Sequence, residues 1–357
     1  MVIKNLVAKE IFEQSGYSAP EQTAAVKMDA NENPFTLQEP LKRRLRERMR
    51  GIDLNRYPAA GAPVLRERFA KYYGVKKNMI MPGNGSDELI QMLCMAMKGR
   101  IKGVLVPVPT FSMYKIIAIN TGNKVVEVPL DKRFDLDVEA ITDRIRDNFP
   151  ALIFLSSPNS PTGNIFSRGK VEAIIKKTPG LVVIDEAYGA FSGRSLIALI
   201  KKYDNVVFLK TLSKLGMASI RMGFLIANPD IIAQLDKVRL PYNVNSLSQA
   251  AAGFFLDYEG EFSKQIKEII QRREELYRGL KEIEWIRPYS SLANFIFFSC
   301  AFDSNRIYNN LVAEGIAVKN LNLPPLTPNC IRVTVGSKKE NDVLLKALKN
   351  MTPERGE

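Results

Sequence analysis

Five short runs in the middle of the chain are apolar at essentially every position: Val104 to Val108, Ala151 to Leu155, Leu181 to Ile184, Val206 to Leu209 and Gly223 to Ala227. A strand with one face in water alternates apolar and polar residues. Uniform runs have both faces covered, as in the core strands of a mostly parallel sheet flanked by helices. Helix-like stretches separate the runs, so the sequence predicts a large α/β domain over residues 45–245. Beyond Pro241 the pattern becomes one long helical stretch, Ser246 to Lys281. After it, strand-like pieces (Asn294 to Ser299, Ala317 to Lys319, Ile331 to Val335) alternate with helical ones (Ser304 to Glu314, Lys339 to Asn350). Residues 246–357 are therefore expected to form a small α+β domain, with residues 1–44 as an arm packed on it or on a partner.

The 357 residues include no histidine. That removes Ser-His-Asp and Cys-His catalysis and histidine-ligated metals together, and leaves acid-base work to Lys, Asp, Glu, Tyr or Cys. Three cysteines, Cys94, Cys300 and Cys330, form no C-x-x-C pair, so neither a disulfide framework nor a metal site is expected, and a reducing cytoplasm fits. The formal charge of +13 suits anionic small molecules as well as nucleic acid or a membrane surface. The one basic run, Lys42 to Arg50, reads as a solvated helix face, not a nucleic-acid stripe. The charged amino terminus does not read as a signal peptide, and no apolar run reaches the roughly 18 residues of a membrane helix. No nucleic-acid or membrane partner is expected.

Chemistry gathers at the ends of the apolar runs. Asp185 follows Leu181 to Ile184 directly, and in open α/β sheets ligands bind at the carboxyl ends of strands. Alone it would read as a cap or a surface acid. A second strand end changes the balance: Val206 to Leu209 leads into Thr211, Ser213 and Lys214. A lysine there can form a Schiff base with an aldehyde cofactor, and hydroxyls with Arg221 can hold a phosphate. Ser156 to Gly163 carries Asn159 on a proline-rigidified turn. Pro82 to Leu89 offers backbone N–H groups to an anion at a helix start. The glycine pair at 83 and 85 lacks the third glycine of a dinucleotide fingerprint, and Gly163 to Val171 does not fit a phosphate loop.

Taken in order, Asn31-Glu32-Asn33-Pro34-Phe35, Arg56-Tyr57-Pro58, Gly83 to Ile90, Pro109 to Tyr114, Pro158 to Gly163, Asp185-Glu186-Ala187-Tyr188, Thr211 to Lys214, Pro241 to Asn245 and Ile331 to Gly336 make the chain resemble the fold-type I pyridoxal-phosphate aminotransferases, and among them the histidinol-phosphate aminotransferase family, nearly end to end. The resemblance implies pyridoxal 5'-phosphate as cofactor, Lys214 as its tether and proton carrier, and Asp185 holding the pyridine nitrogen protonated. It implies that Asn159 and Tyr188 hydrogen-bond the cofactor's phenolic oxygen, and that Phe111 stacks on the ring with Tyr114 one turn on. Ser86, Asp87, Thr211, Ser213 and Arg221 would hold its phosphate, joined by Tyr57 from the other subunit of a homodimer. Arg332 would grip the substrate carboxylate, with Lys319, Tyr17 and Asn31 also on the substrate.

Two departures stand out. Lys214 and Arg221 are seven residues apart, one fewer than the family spacing, with Ser219 in place of a glycine; and Lys319 stands where the family has an arginine for the substrate phosphate. The implied reaction moves an amino group from histidinol phosphate to the 2-oxo acid 2-oxoglutarate. Competing readings are an aromatic amino-acid aminotransferase, a threonine-phosphate decarboxylase, and a non-catalytic cofactor-binding regulator, which would need a DNA-binding domain for which the chain has no spare length.

Overall fold

The computed structural model describes residues 6–13, 24–97 and 103–351. Strand β1 (Val26–Lys27) precedes a seven-stranded sheet made of β2 (Ile80–Asn84), β3 (Gly103–Val108), β4 (Lys124–Pro129), β5 (Leu152–Ser156), β6 (Leu181–Asp185), β7 (Val206–Thr211) and β8 (Met222–Ile226). Their order is β2-β8-β7-β6-β5-β3-β4. All run parallel except β8, which pairs antiparallel with both β7 and β2. Successive strands from β5 to β7 step one way and β3 to β4 steps the other, so the order reverses between β3 and β5, where such sheets open a ligand crevice.

The uniform runs are explained by burial on both faces. Leu105, Ile153, Leu155, Val182, Ile184 and Phe208 enter one core, and Val104, Val106, Leu152, Phe154, Val183 and Leu209 enter the other. Two further strands lack a uniform run because they are edges. The strand β4 is only half buried and carries Lys124 and Glu127, while β2 contains Pro82 and Gly83. Proline lacks the N–H a central strand needs on both sides, and an edge tolerates it.

Strands β9 (Ile286–Pro288), β10 (Phe295–Cys300), β11 (Ile316–Ala317), β12 (Lys319–Asn320) and β13 (Cys330–Thr334) follow. Four of them form an antiparallel sheet, β12-β13-β10-β9, and β11 pairs in parallel with β1. The expected single strand at Ala317 to Lys319 is thus two, in different sheets. The arm does meet this unit: β1 joins β11, and Thr334 donates its N–H to the Met28 carbonyl at 2.8 Å.

The expected long helix is two, Ser246–Asp257 and Glu259–Lys281. At the break the Asp257 carboxylate is held by Arg48 and Arg68, the Tyr258 hydroxyl accepts from Arg44 at 3.1 Å, and its ring packs on Phe254. Periodicity cannot register such tertiary anchors. They also correct the reading of the basic run. It lies on the helix Glu39–Arg50, but Arg44 and Arg48 dock on the neighbouring helix instead of facing solvent alone. Residue 45, expected as a domain boundary, falls inside that helix. Among the described residues no helix is long and apolar enough to cross a membrane, and no cluster of three or more His, Cys, Asp or Glu side chains is arranged to hold a metal.

Candidate active site

The carboxyl ends of β2, β5, β6 and β7 open on one cleft with about 500 Å³ of atom-free space. It is lined by Ser86, Asp87, Phe111, Tyr114, Ser156, Asp185, Tyr188, Thr211, Ser213, Lys214 and Arg221, among others. Nine of the eleven cofactor residues expected from sequence therefore meet in one place. Asp185 ends β6, and Lys214 sits three residues past the end of β7, so both catalytic candidates are placed by adjacent buried strands.

Asp185 is almost wholly buried. Its Oδ2 accepts from the Tyr114 hydroxyl at 2.7 Å and its Oδ1 from the Ala187 N–H at 2.9 Å. Burial disfavours the charged carboxylate, and despite these two donors its pKa is pushed up to about 6. Tyr114 is pushed well above the ordinary tyrosine value by burial and by the adjacent Asp185, so it stays a donor. Its ring stacks on Phe154 at 4.7 Å, which fixes the hydroxyl's aim. The sequence motif presents Tyr114 only as a neighbour of Phe111. A signal for its role is present in the spacing, since Phe111 and Tyr114 are three apart, and a buried tyrosine on a helix needs a polar partner.

The anion end is built at the start of the helix Gly85–Ala96, whose first N–H groups are free of helical partners. Gly223 on β8 permits this arrangement, since a Cβ there would lie 2.6 Å from the Gly85 carbonyl carbon. Arg221 reaches the same point: its Nη2 lies 2.8 Å from Asp87 Oδ2. The loop from Lys214 is one residue short of the family spacing, and Arg221 adopts a left-handed conformation, φ 51°, that turns its side chain back to the helix start. Gly85 faces it, and a Cβ there would meet Arg221 Nη2 at 2.6 Å.

Asn159 is placed differently from expectation. Its Nδ2 donates to the Pro109 carbonyl and Thr162 Oγ1, at 2.9 and 2.8 Å, and its Oδ1 accepts from Thr110 Oγ1 at 2.8 Å. Both N–H groups are engaged, so the side chain braces the turn under the cleft and has no proton directed at a cofactor's phenolic oxygen. Tyr188 does face the cleft. Tyr57 does not line the chain's own cleft: it is 81 % exposed and stacks on Tyr242 at 4.5 Å.

The substrate candidates lie on the small sheet. Lys319 and Arg332 are directly opposed across β12 and β13, which puts their side chains on one face. Arg332 donates from Nη1 to Ser160 Oγ at 3.1 Å and from Nη2 to the Asp29 carbonyl at 2.7 Å, and its guanidinium lies over Phe295. Asn31 is 1 % exposed, with its amide on the Tyr188 hydroxyl at 2.9 Å, so its side chain supports that tyrosine from inside the protein. Tyr17 lies outside the described residues.

Residues 23–348 match the family described as aminotransferase class I and II. The chain belongs to that class, whose cofactor is pyridoxal phosphate. It is 41 % identical to histidinol-phosphate aminotransferase 2 of Nitrosococcus oceani over 346 residues, 96 % of each chain, and within the class it belongs to the histidinol-phosphate aminotransferase family. The solved histidinol-phosphate aminotransferase of Clostridium acetobutylicum superimposes with a TM-score of 0.83 at 26 % identity, over 91 % of this chain and 98 % of that one. That of Sinorhizobium meliloti, in complex with pyridoxal-5'-phosphate, gives 0.87 at 23 % identity over 96 % of each chain, a likeness of fold.

The cleft fits that cofactor on its own chemistry. A lysine, a buried carboxylate, an aromatic wall at Phe111 and a phosphate-sized set of hydroxyls, helix N–H groups and an arginine lie around one space, and two glycines keep the phosphate end clear.

Proposed function

We propose that the chain transfers the amino group of histidinol phosphate to 2-oxoglutarate, with Lys214 and Asp185 as the catalytic pair. The observation that carries this reading is the meeting of Lys214, Asp185 and the Ser86–Arg221 anion end in one cleft, with Arg332 and Lys319 opposed on one face of the small sheet. Bound pyridoxal phosphate supplies an electron sink, accepting the electron pair left when the substrate's Cα loses a proton.

The protein's own groups do the rest. Lys214 tethers the cofactor, then, once displaced by the substrate amine, carries the proton from Cα. Asp185 holds the pyridine nitrogen protonated; a cation beside it reverses the unfavourable burial of its charge. Tyr188 donates to the phenolic oxygen, Phe111 covers the ring, and Ser86, Asp87, Thr211, Ser213 and Arg221 hold the phosphate. Arg332 binds a carboxylate of 2-oxoglutarate as a planar fork, for which its contacts with Ser160 and the Asp29 carbonyl pre-set the guanidinium plane. We also propose that the seven-stranded sheet and its helices form a cofactor-holding unit and that the strands after residue 285 form, with the amino-terminal arm, a smaller substrate-gripping one.

Lys319 sets the substrate. A lysine opposite Arg332 gives two cations on one face, one for the carboxylate of the 2-oxo acid and one for the phosphate of histidinol phosphate. Replacing Lys319 with alanine is expected to lower kcat/KM for histidinol phosphate by about 10- to 100-fold, the effect of one charge-assisted contact, and to leave phenylalanine almost unaffected. Steady-state kinetics of wild type and variant on both amines decide the matter. A wild type that prefers phenylalanine transfers the role to aromatic amino acids.

A second copy of the chain is proposed to complete the site. Leu54, Tyr57, Val64, Leu240, Tyr242 and Leu247 are large apolar side chains left exposed, and Tyr57 and Tyr242 stack there. If Tyr57 serves the neighbouring copy's phosphate, mixing inactive Lys214→Ala chains with weakened Tyr57→Ala chains should restore activity, because hybrids own one intact site. No gain on mixing, with hybrids verified by mass, places Tyr57 elsewhere.

A further inference from the structure

Three consecutive residues of the arm touch three different groups of the cleft. The Asp29 carbonyl accepts from Arg332 Nη2 at 2.7 Å, the Ala30 carbonyl accepts from Lys214 Nζ at 3.1 Å, and Asn31 Nδ2 donates to the Tyr188 hydroxyl at 2.9 Å. This strap is held from the small sheet. Asn31 N–H donates to Thr334 Oγ1 at 2.9 Å, the same hydroxyl lies 3.3 Å from Asn31 Oδ1, and Asn294 Nδ2 donates to the Asn31 carbonyl at 2.9 Å. Thr334 is two residues from Arg332 on β13, so one strand carries both the substrate-gripping arginine and the lock on Asn31.

The backbone at Asn31 is left-handed, φ 54°, a conformation asparagine tolerates better than most residues. It turns the side chain inward under Tyr188. In this arrangement the amide oxygen accepts from the Thr334 hydroxyl at 3.3 Å and the N–H points to Tyr188. A tyrosine hydroxyl has one proton. With an amide N–H donating onto its oxygen, that proton is directed away from Asn31, and the oxygen's polarisation makes the O–H a stronger donor.

We infer that Asn31 is a positioning residue for the reaction, one that acts through Tyr188 by aiming its hydroxyl proton into the cleft. The inference rests on the role proposed above for Tyr188 as donor to the cofactor's phenolic oxygen. It assigns a function to the buried amide that the sequence motif alone would send to the substrate. It also joins the two sheets, since Asn31 is held by β13 and acts on a residue that follows β6. The other charged or titratable groups around Tyr188 are Lys214, 5.9 Å from its ring centre, Asp185 and Glu186 on the same segment, Tyr114 across the cleft, and Arg332 behind the Phe295 ring that meets Tyr188 edge-on. None of them hydrogen-bonds to the Asn31 side chain.

A donor beside the phenolic oxygen stabilises its negative charge most when the neighbouring nitrogen has lost its proton, so weakening that donor raises the pH at which the nitrogen deprotonates. Asn31→Gly keeps the left-handed backbone and removes only the amide. In the holoenzyme it is expected to move the pH midpoint of the Lys214-dependent visible absorbance up by roughly half to one unit. Asn31→Asp, whose carboxylate would take the Tyr188 proton for itself, is expected to move it at least as far. In a Tyr188→Phe background both changes should move the midpoint by less than about 0.2 unit, since the residue they act through is gone. Equal shifts in the two backgrounds, or no shift in either variant, overturn the inference while leaving Lys214 and Asp185 in place. A wild-type absorbance indifferent to Lys214→Ala would overturn the proposed function as well.

Discussion

Replacing Lys214 with alanine is expected to abolish covalent capture of the cofactor and to lower turnover by at least about 10⁴-fold, because the tether and the proton carrier are lost together. The measurement is borohydride reduction of the reconstituted holoenzyme followed by peptide mass mapping. The wild type should carry the reduced adduct on the peptide containing Lys214, and the variant should carry none. Lys214→Arg, which keeps a cation but cannot form the linkage, should behave as the alanine variant does. The nearest rival, Lys210, does not line the cleft and has its amine engaged in an ion pair with buried Glu186. An adduct found on Lys210 or Lys319 would refute the assignment.

The second large effect is expected at Asp185, and it has opposite signs in the two forms of the protein. Burial raises this carboxyl from its ordinary value to about 6 in the apoprotein. A folded-state pKa above the unfolded one means that the native state binds the extra proton between about pH 4 and 6. Stability therefore falls as pH rises through that window, and the cost is complete above about 6. A shift of this size corresponds to about 3 kcal/mol as an upper figure. Asp185→Asn removes the charge and keeps a side chain that can pair with Tyr114 and the Ala187 N–H. The apoprotein variant is thus expected to melt several degrees above wild type at pH 8, with the difference largely gone at pH 4.5. With cofactor bound the result inverts. The variant cannot stabilise a protonated pyridine nitrogen, and turnover should fall by about 10²- to 10³-fold. Thermal melts of apoprotein at both pH values, paired with kinetics of holoenzyme, test both signs. An apoprotein that is destabilised at pH 8 by the change would show that the two donors outweigh burial and hold the Asp185 carboxyl below its ordinary value.

These two residues show why part of the site is legible in the sequence. An acid placed directly after a run of buried strand residues, and a lysine a few residues past another, can be located by counting, because a strand's carboxyl end is a fixed point in an open α/β sheet. The edge strands β2 and β4 are not legible for the complementary reason. In β4 half-exposure admits Lys124 and Glu127 and breaks the run, while β2, though buried, carries Pro82 and Gly83, which look like loop residues. The helix break at Tyr258 is hidden because it depends on Arg44, Arg48 and Arg68, up to about two hundred residues away in sequence.

Side-chain roles separate along the same line. Residue types at strand ends allowed a lysine-tethered cofactor, the absence of histidine removed the histidine-based alternatives, and the resemblance to the aminotransferases supplied the cofactor. What the sequence by itself determined was therefore the five core strands of the sheet, the two strand ends that carry Asp185 and Lys214 and the candidate anion-binding helix start, each a consequence of local pattern and burial. Only the tertiary structure decided where the hydrogen bonds go. It turned Asn159 toward Pro109 and Thr162, set Tyr114 on Asp185, aimed the shortened Arg221 loop back at Asp87, and folded the arm so that Asn31 reaches Tyr188. A hydrogen bond depends on atoms within about 3 Å and on their angles, and chain folding brings those atoms together from segments whose separation in sequence carries no trace of it.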